Sequence, residues 1–251
     1  MVVVEVNGYQ IEPGADLSGA NLERKDLSNA WLSEARLSGA DLANANLTEA
    51  WLEGADLTES NLEGANLYGA DLVRANFYMA NLTDANFTRA NLTNANLHLV
   101  SPPALFWGAN LTRANLADLN LAEANFHAAN LRGTNLSGVN LSFADLGLVS
   151  LYQANLVGAT LVGTNIGGGY FREANLRSTD LSEARLFEAN LNRANFAGAK
   201  LTRADLRRTR LQGANFIGGN LSGADLTGAK ADESTIWPEE FDPVAAGAVF
   251  D

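Results

Sequence analysis

Leucine or phenylalanine recurs at every fifth residue from Leu17 to Leu97 and again from Phe106 to Leu226, with Ile166 the one exception at such a centre. Most units read Ala-(Asp/Asn)-Leu-X-X, as in Ala40-Asp41-Leu42-Ala43-Asn44 and Ala114-Asn115-Leu116-Ala117-Asp118. A period of five cannot make a helix amphipathic: at about 100° per residue, successive centres rotate by about 140° and visit every face. In extended backbone side chains alternate, so the centre and the Ala two residues before it share one face while Asp or Asn points the other way. Each unit therefore reads as a three-residue strand followed by a two-residue corner. Of the 23 glycines, 16 lie two residues after a centre, where a corner demands backbone angles that glycine tolerates.

Strand and corner repeated in this way wind into a coil, and stacked coils pair as a parallel sheet does. Every level then needs the same cross-section, which explains why one large and one small inward residue recur on each side. The burial of so many Leu and Phe side chains, together with only 18% charged residues, excludes a disordered chain despite the net charge of −12. With no cysteine there is no disulfide or thiolate metal site. No apolar run approaches the roughly 18 residues of a membrane span, and the N-terminus lacks a signal-peptide pattern, so a cytoplasmic location is expected.

The repeat resembles the pentapeptide-repeat family from about residue 15 to residue 230. That resemblance implies an all-β fold, a right-handed quadrilateral parallel β-helix with twenty residues per coil. Twenty-residue echoes agree with it: Trp31 with Trp51, Phe106 with Phe126, and Phe196 with Phe216. The expected organisation is an N-terminal cap over residues 1–14, the β-helix over 15–230 and a C-terminal cap or tail over 231–251. The tail is also similar to the ending of many cyanobacterial members.

Exposed strand edges at the ends of a solenoid require caps. Residues 2–11 alternate around Asn7-Gly8, the signature of a two-residue hairpin turn. At the other end the repeat decays through Ala231 and Ile236, and Asp242-Pro243 is a start signal for a short closing helix. The frame changes between Leu97 and Phe106, where residues 98–103 read as one repeat step plus four extra residues, a bulge or a recognition loop. Lys25, Leu119 and Val139 stand where the small inward Ala is usual.

Catalytic motifs are not apparent, and the two histidines, His98 and His127, lack metal-ligand spacing, so neither an enzyme nor a cofactor is expected. Two surface features break the repeat's monotony. Trp31 and Trp51 occupy the outward position normally held by Asp or Asn, and Trp is favoured at interface anchors. Arg203, Arg207, Arg208 and Arg210 crowd two adjacent sides of a late coil, as solvated partners of nearby carboxylates or as a docking site for an acidic partner. Residues 1–97 carry 14 acidic and 5 basic residues, whereas the later repeats are mildly basic.

Two functions follow. The first is a non-enzymatic scaffold, a monomeric or weakly dimeric rod that presents its faces to an unidentified protein partner without binding nucleic acid directly. The second comes from the resemblance: family members that bind DNA gyrase and protect it from quinolones mimic duplex DNA. Mimicry requires aligned acidic columns, but a twenty-residue coil places Asp16, Arg36 and Asp56 in one column, so the charges alternate.

Overall fold

A five-residue unit with Asp or Asn at its outward position can settle all five of its backbone N–H groups, and the unit centred on Leu42 shows how. Ala40 donates to Leu37 O (3.0 Å) across the corner, and Asp41 donates to Ala20 O (2.9 Å) in the preceding coil. Leu42 and Asn44 donate to Asn61 O and Glu63 O of the following coil, both at 2.7 Å. The fifth, Ala43 N–H, donates to the Asp41 carboxylate at 3.1 Å. A buried backbone donor must find a partner, and here the coil and its own Asp or Asn supply every one.

The outward Asp or Asn is thus more than a polar surface residue. Its side-chain oxygen closes the turn, and an Asn amide also donates down the column, as Asn61 does to Asp41 and Asn81 does to Asn61, each at 3.1 Å. An Asp can only accept, so a continuous ladder needs Asn.

The computed structural model describes residues 4–98 and 105–250, which fall in two compact units, residues 1–119 and 120–251. Unit 1 has four parallel columns, beginning Asp16–Arg36, Asn21–Asp41, Asp26–Asn46 and Trp31–Trp51, so each coil has four sides and twenty residues. Unit 2 repeats the arrangement from Asn120–Asn140, Asn125–Asp145, Asn130–Ser150 and Asn135–Asn155. Both are β-helix solenoids. Centres and the Ala before them fill each lumen, and Leu119, Val139 and Val149 are also buried there. Lys25, in the first coil, is half-buried. Where Ser60, Thr179 or Thr209 replaces the inward Ala, the hydroxyl donates to the carbonyl of the preceding centre, at 2.7 Å in each case.

The frame change has a simple register. Asn86 pairs with Leu105 and Asn91 with Asn110, nineteen residues apart instead of twenty. The stretch from Leu97 to Phe106 is therefore two repeat steps less one residue, which corrects the count of one step plus an insertion. Of residues 98–103, read from the sequence as a bulge or a recognition loop, all but His98 lie outside the described residues.

In unit 1, β1 (Val4–Val6) and β2 (Tyr9–Ile11) form the expected antiparallel hairpin. Asn7 and Gly8 have φ of 54° and 81°, the positive pair that a tight primed turn requires. Asn7 Nδ2 donates to Asn21 O at 2.9 Å, tying the hairpin tip to the first coil.

The end of unit 2 differs from expectation. No helix forms among the described residues: Asp242 accepts from the amides of Val244 and Ala245, both at 3.0 Å, and one turn follows. Gly247, at φ 97°, then reverses the chain, and β4 (Val249–Phe250) joins β3 (Lys230–Ala231) in parallel. The five residues from Pro243 to Gly247 are too few to propagate a helix against the competing ladder. Ile236 is not a repeat centre either. It pairs with Asn215 twenty-one residues earlier and is exposed, while Trp237 stacks on Phe216 with ring centroids 5.2 Å apart. Phe216 in turn stacks on Phe196 at 4.8 Å, so Trp237 extends an internal aromatic column.

Glycine at the corners has a second cause. Every described corner has its second residue at φ between 54° and 70°, yet many of these are Arg, Glu or Asn. Their side chains lean over the same corner of the next coil. A Cβ added to Gly54 would lie 2.6 Å from the Glu34 carboxylate, and one added to Gly163 would lie 2.6 Å from the Phe143 ring. Glycine there makes room for the residue one coil earlier. At non-glycine corners the left-handed strain remains, roughly 1 kcal/mol each. Ser178, at φ 54° and exposed, has no side-chain hydrogen bond among the described residues to lose, so Ser178→Gly is expected to raise the thermal midpoint by a few degrees. A lower midpoint in a calorimetric scan would show that these corners are unstrained.

Candidate functional site

The surface of unit 1 departs from the Asp and Asn pattern at Trp31 and Trp51. An indole supplies no acceptor for the corner amide, so these positions give up the turn-closing bond that Asp41 provides elsewhere. Their rings are 53% and 51% exposed, with centroids 6.4 Å apart and planes tilted by 52°. Below them in the same column come Asp71, Asn91 and Asn110.

The adjoining corner carries a second aromatic group. Arg89 lies between two rings, its guanidinium carbon 5.9 Å from the Tyr68 centroid and 5.5 Å from that of Trp107. It also donates to the Tyr68 hydroxyl at 3.0 Å. Trp51, Tyr68, Arg89, Glu49, Asp71 and Asn91 line a shallow cleft of about 510 Å³. On the opposite corner Arg74 bridges Glu53 (2.9 Å) and Glu34 (3.7 Å). Tyr68, Arg89 and Trp107 were not singled out from the sequence. Tyr68 and Trp107 share a corner only through one coil of twenty and one of nineteen, a register hidden by the frame change.

The four arginines of unit 2 lie on two corners and a side, and three of them have carboxylate partners. Arg203 meets Glu183 at 3.3 Å and Arg208 meets Glu188 at 3.4 Å, each one coil earlier. Arg207 grips Asp205 with two bonds, at 2.8 and 2.7 Å, and these hold the Asp205 carboxyl below its ordinary range against the opposing effect of burial. Arg207 and Arg208 both lie 5.6 Å from the Phe187 ring. Arg210 stands in the outward column between Asn190 and Lys230 and has no ion pair among the described residues. In unit 1, Asp16 and Arg36 form an ion pair at 2.8 Å. The Arg36 hydrogen bond, helped by Ser18, holds the Asp16 carboxyl down to about 2.

Pentapeptide-repeat models match eight times, at residues 14–48, 26–58, 40–78, 73–100, 104–138, 134–169, 154–193 and 189–228. The chain belongs to the pentapeptide-repeat family. It is 31% identical to HetL, a pentapeptide-repeat protein involved in heterocyst differentiation regulation from the cyanobacterium Nostoc sp. strain PCC 7120, over 86% of this chain and 87% of that one, with a TM-score of 0.44. A second Nostoc PCC 7120 pentapeptide-repeat protein, alr5209, is 34% identical over 53% of this chain and 84% of its own, with a TM-score of 0.21. QnrB1, a plasmid-mediated fluoroquinolone resistance protein, is 19% identical over 72% of this chain and 85% of its own, with a TM-score of 0.38. No curated protein matches.

For a pentapeptide-repeat chain, chemistry must come from residues that depart from the repeat. Among the described residues no His, Cys, Asp and Glu cluster is arranged to hold a metal ion, and no helix is long and apolar enough to cross a membrane. His127 approaches Asp145 at 3.4 Å on an open face, and His98 stacks on Tyr78 at 6.2 Å. What the unit 1 face offers is large, half-exposed aromatic area beside fixed charges, which suits recognition.

Proposed function

We propose that this pentapeptide-repeat protein is a non-enzymatic scaffold that docks a protein partner on the aromatic face of unit 1. The observation that carries the reading is the Trp31–Trp51 pair, half-exposed where the repeat otherwise places Asp or Asn. Tyr68, Arg89 and Trp107 extend the same surface. Because the backbone donors of the sides are already spent in the ladder, a partner engages side chains here and does not add a strand. The protein would work in the cytoplasm as a right-handed coil, a monomer or a weak dimer. The arginine cluster of unit 2 is a subordinate docking surface for an acidic partner, in which Arg210 supplies the cation not already paired.

The gyrase-directed alternative draws less support. The column Asp16, Arg36, Asp56 alternates in sign, and its first pair is neutralised at 2.8 Å. Affinity capture from the native cell, with the parent and with the Trp31→Asn/Trp51→Asn double variant as baits, tests the proposal. A protein enriched by the parent and lost with the variant is expected. Identical recoveries would refute the assignment of the face, and inhibition of gyrase supercoiling by both baits would favour the alternative.

A further inference from the structure

Among the described residues of unit 1, one pair of neighbouring aromatic rings holds a cation between them and the Trp31–Trp51 pair does not. Tyr68 and Trp107 hold the guanidinium of Arg89 between them, at 5.9 and 5.5 Å. Trp31 and Trp51 offer another pair of rings, 6.4 Å apart, over which no Lys or Arg of the described residues lies. Arg89 shares the cleft with Trp51 and Glu49, but its guanidinium is turned to Tyr68 and Trp107, which leaves carboxylates beside the Trp31–Trp51 pair. Glu34 and Glu53 are held by Arg74, but Glu49, in the cleft beside Trp51, has no ion pair among the described residues. Residues 1–97 as a whole carry 14 acidic and 5 basic residues.

We propose that the Trp31–Trp51 pair seats an arginine side chain from a basic segment of a protein partner, with Glu49 as its counter-charge. The inference rests on the docking role proposed for this face and specifies the chemistry of what docks. Arginine fits better than lysine because its flat, weakly hydrated guanidinium stacks on an indole while its edge donates to a carboxylate. The chain already uses that mode at Arg89, where the guanidinium lies by the rings and its edge donates to the Tyr68 hydroxyl.

The test uses labelled peptides of six Arg-Gly repeats, with Lys-Gly and Gln-Gly peptides of the same length, titrated into the full chain and followed by anisotropy. The Arg-Gly peptide should bind more tightly than Lys-Gly by severalfold, and Gln-Gly should not bind. Trp31→Asn/Trp51→Asn should weaken the Arg-Gly complex by about tenfold or more, and Glu49→Gln by a smaller factor that shrinks as salt rises. Equal affinities for the Arg-Gly and Lys-Gly peptides, or Arg-Gly binding untouched by the double variant, would overturn the proposal by reducing it to general attraction to an acidic surface. If the double variant loses its captured cellular partner while peptide binding is unchanged, the arginine seat falls and the docking face stands. Self-association of the parent that disappears in the double variant would assign the seat to a second copy and overturn the partner segment.

Discussion

Leu67→Asp is expected to unfold unit 1 at room temperature or to leave it melting far below the parent. Leu67 is fully buried in a middle coil, and the carboxylate of its replacement would enter the lumen. Nothing there can donate to it, because the N–H groups of the coils are committed to the ladder and to the Asp and Asn turns. An unpaired buried charge costs on the order of 4 kcal/mol or more, comparable with the whole stability of many domains. The hydroxyls of Ser60 and Thr179 escape this cost since each donates to a carbonyl within reach. Leu67→Met, which keeps volume and apolarity, should cost less than about 1.5 kcal/mol. Urea midpoints decide it: a Leu67→Asp midpoint equal to the parent's would show that the centres do not face a closed lumen.

The second large effect is on binding. Replacing Trp31 and Trp51 together by Asn should reduce the affinity for the captured partner several-hundred-fold, since two interface tryptophans commonly carry about 2 kcal/mol each. The same change should leave the fold intact or slightly more stable. Asn supplies the turn-closing acceptor that an indole lacks and can extend the amide ladder seen between Asn81 and Asn61. Calorimetric titration alongside thermal melting separates the outcomes. A large fall in the melting midpoint would make the tryptophans structural, and unchanged affinity would remove them from the interface.

The coil was legible because five is incompatible with a helix and compatible with strand plus corner, and because 42 centres obey it. The pairing of Asn7-Gly8 with a hairpin was legible for a local reason: two adjacent residues prefer positive φ. Features set by the next coil were not. The glycine at position 163 reads as a flexible corner, but it also leaves space for Phe143, twenty residues earlier. Likewise Asn61 reads as a solvated residue until its amide is seen donating to Asp41. The closing helix failed because a start signal at Asp242 is local, whereas the pull of Val249 and Phe250 back to Lys230 and Ala231 is not. Trp31 and Trp51 were visible as breaks in a consensus. Arg89 was not, because nothing in the sequence tells a lone Arg at a corner that Tyr68 and Trp107 will flank it.

The most direct measurement of the central claim follows the two indoles themselves. In a Trp107→Phe/Trp237→Phe variant, Trp31 and Trp51 are the only tryptophans left of the four in the chain. Titrating that variant with the captured partner should shift its indole emission to shorter wavelength and protect it from acrylamide quenching, because rings about half exposed in the free chain become covered. Emission and quenching that stay the same at saturating partner would mean that the partner binds elsewhere, and the account of this face would be wrong.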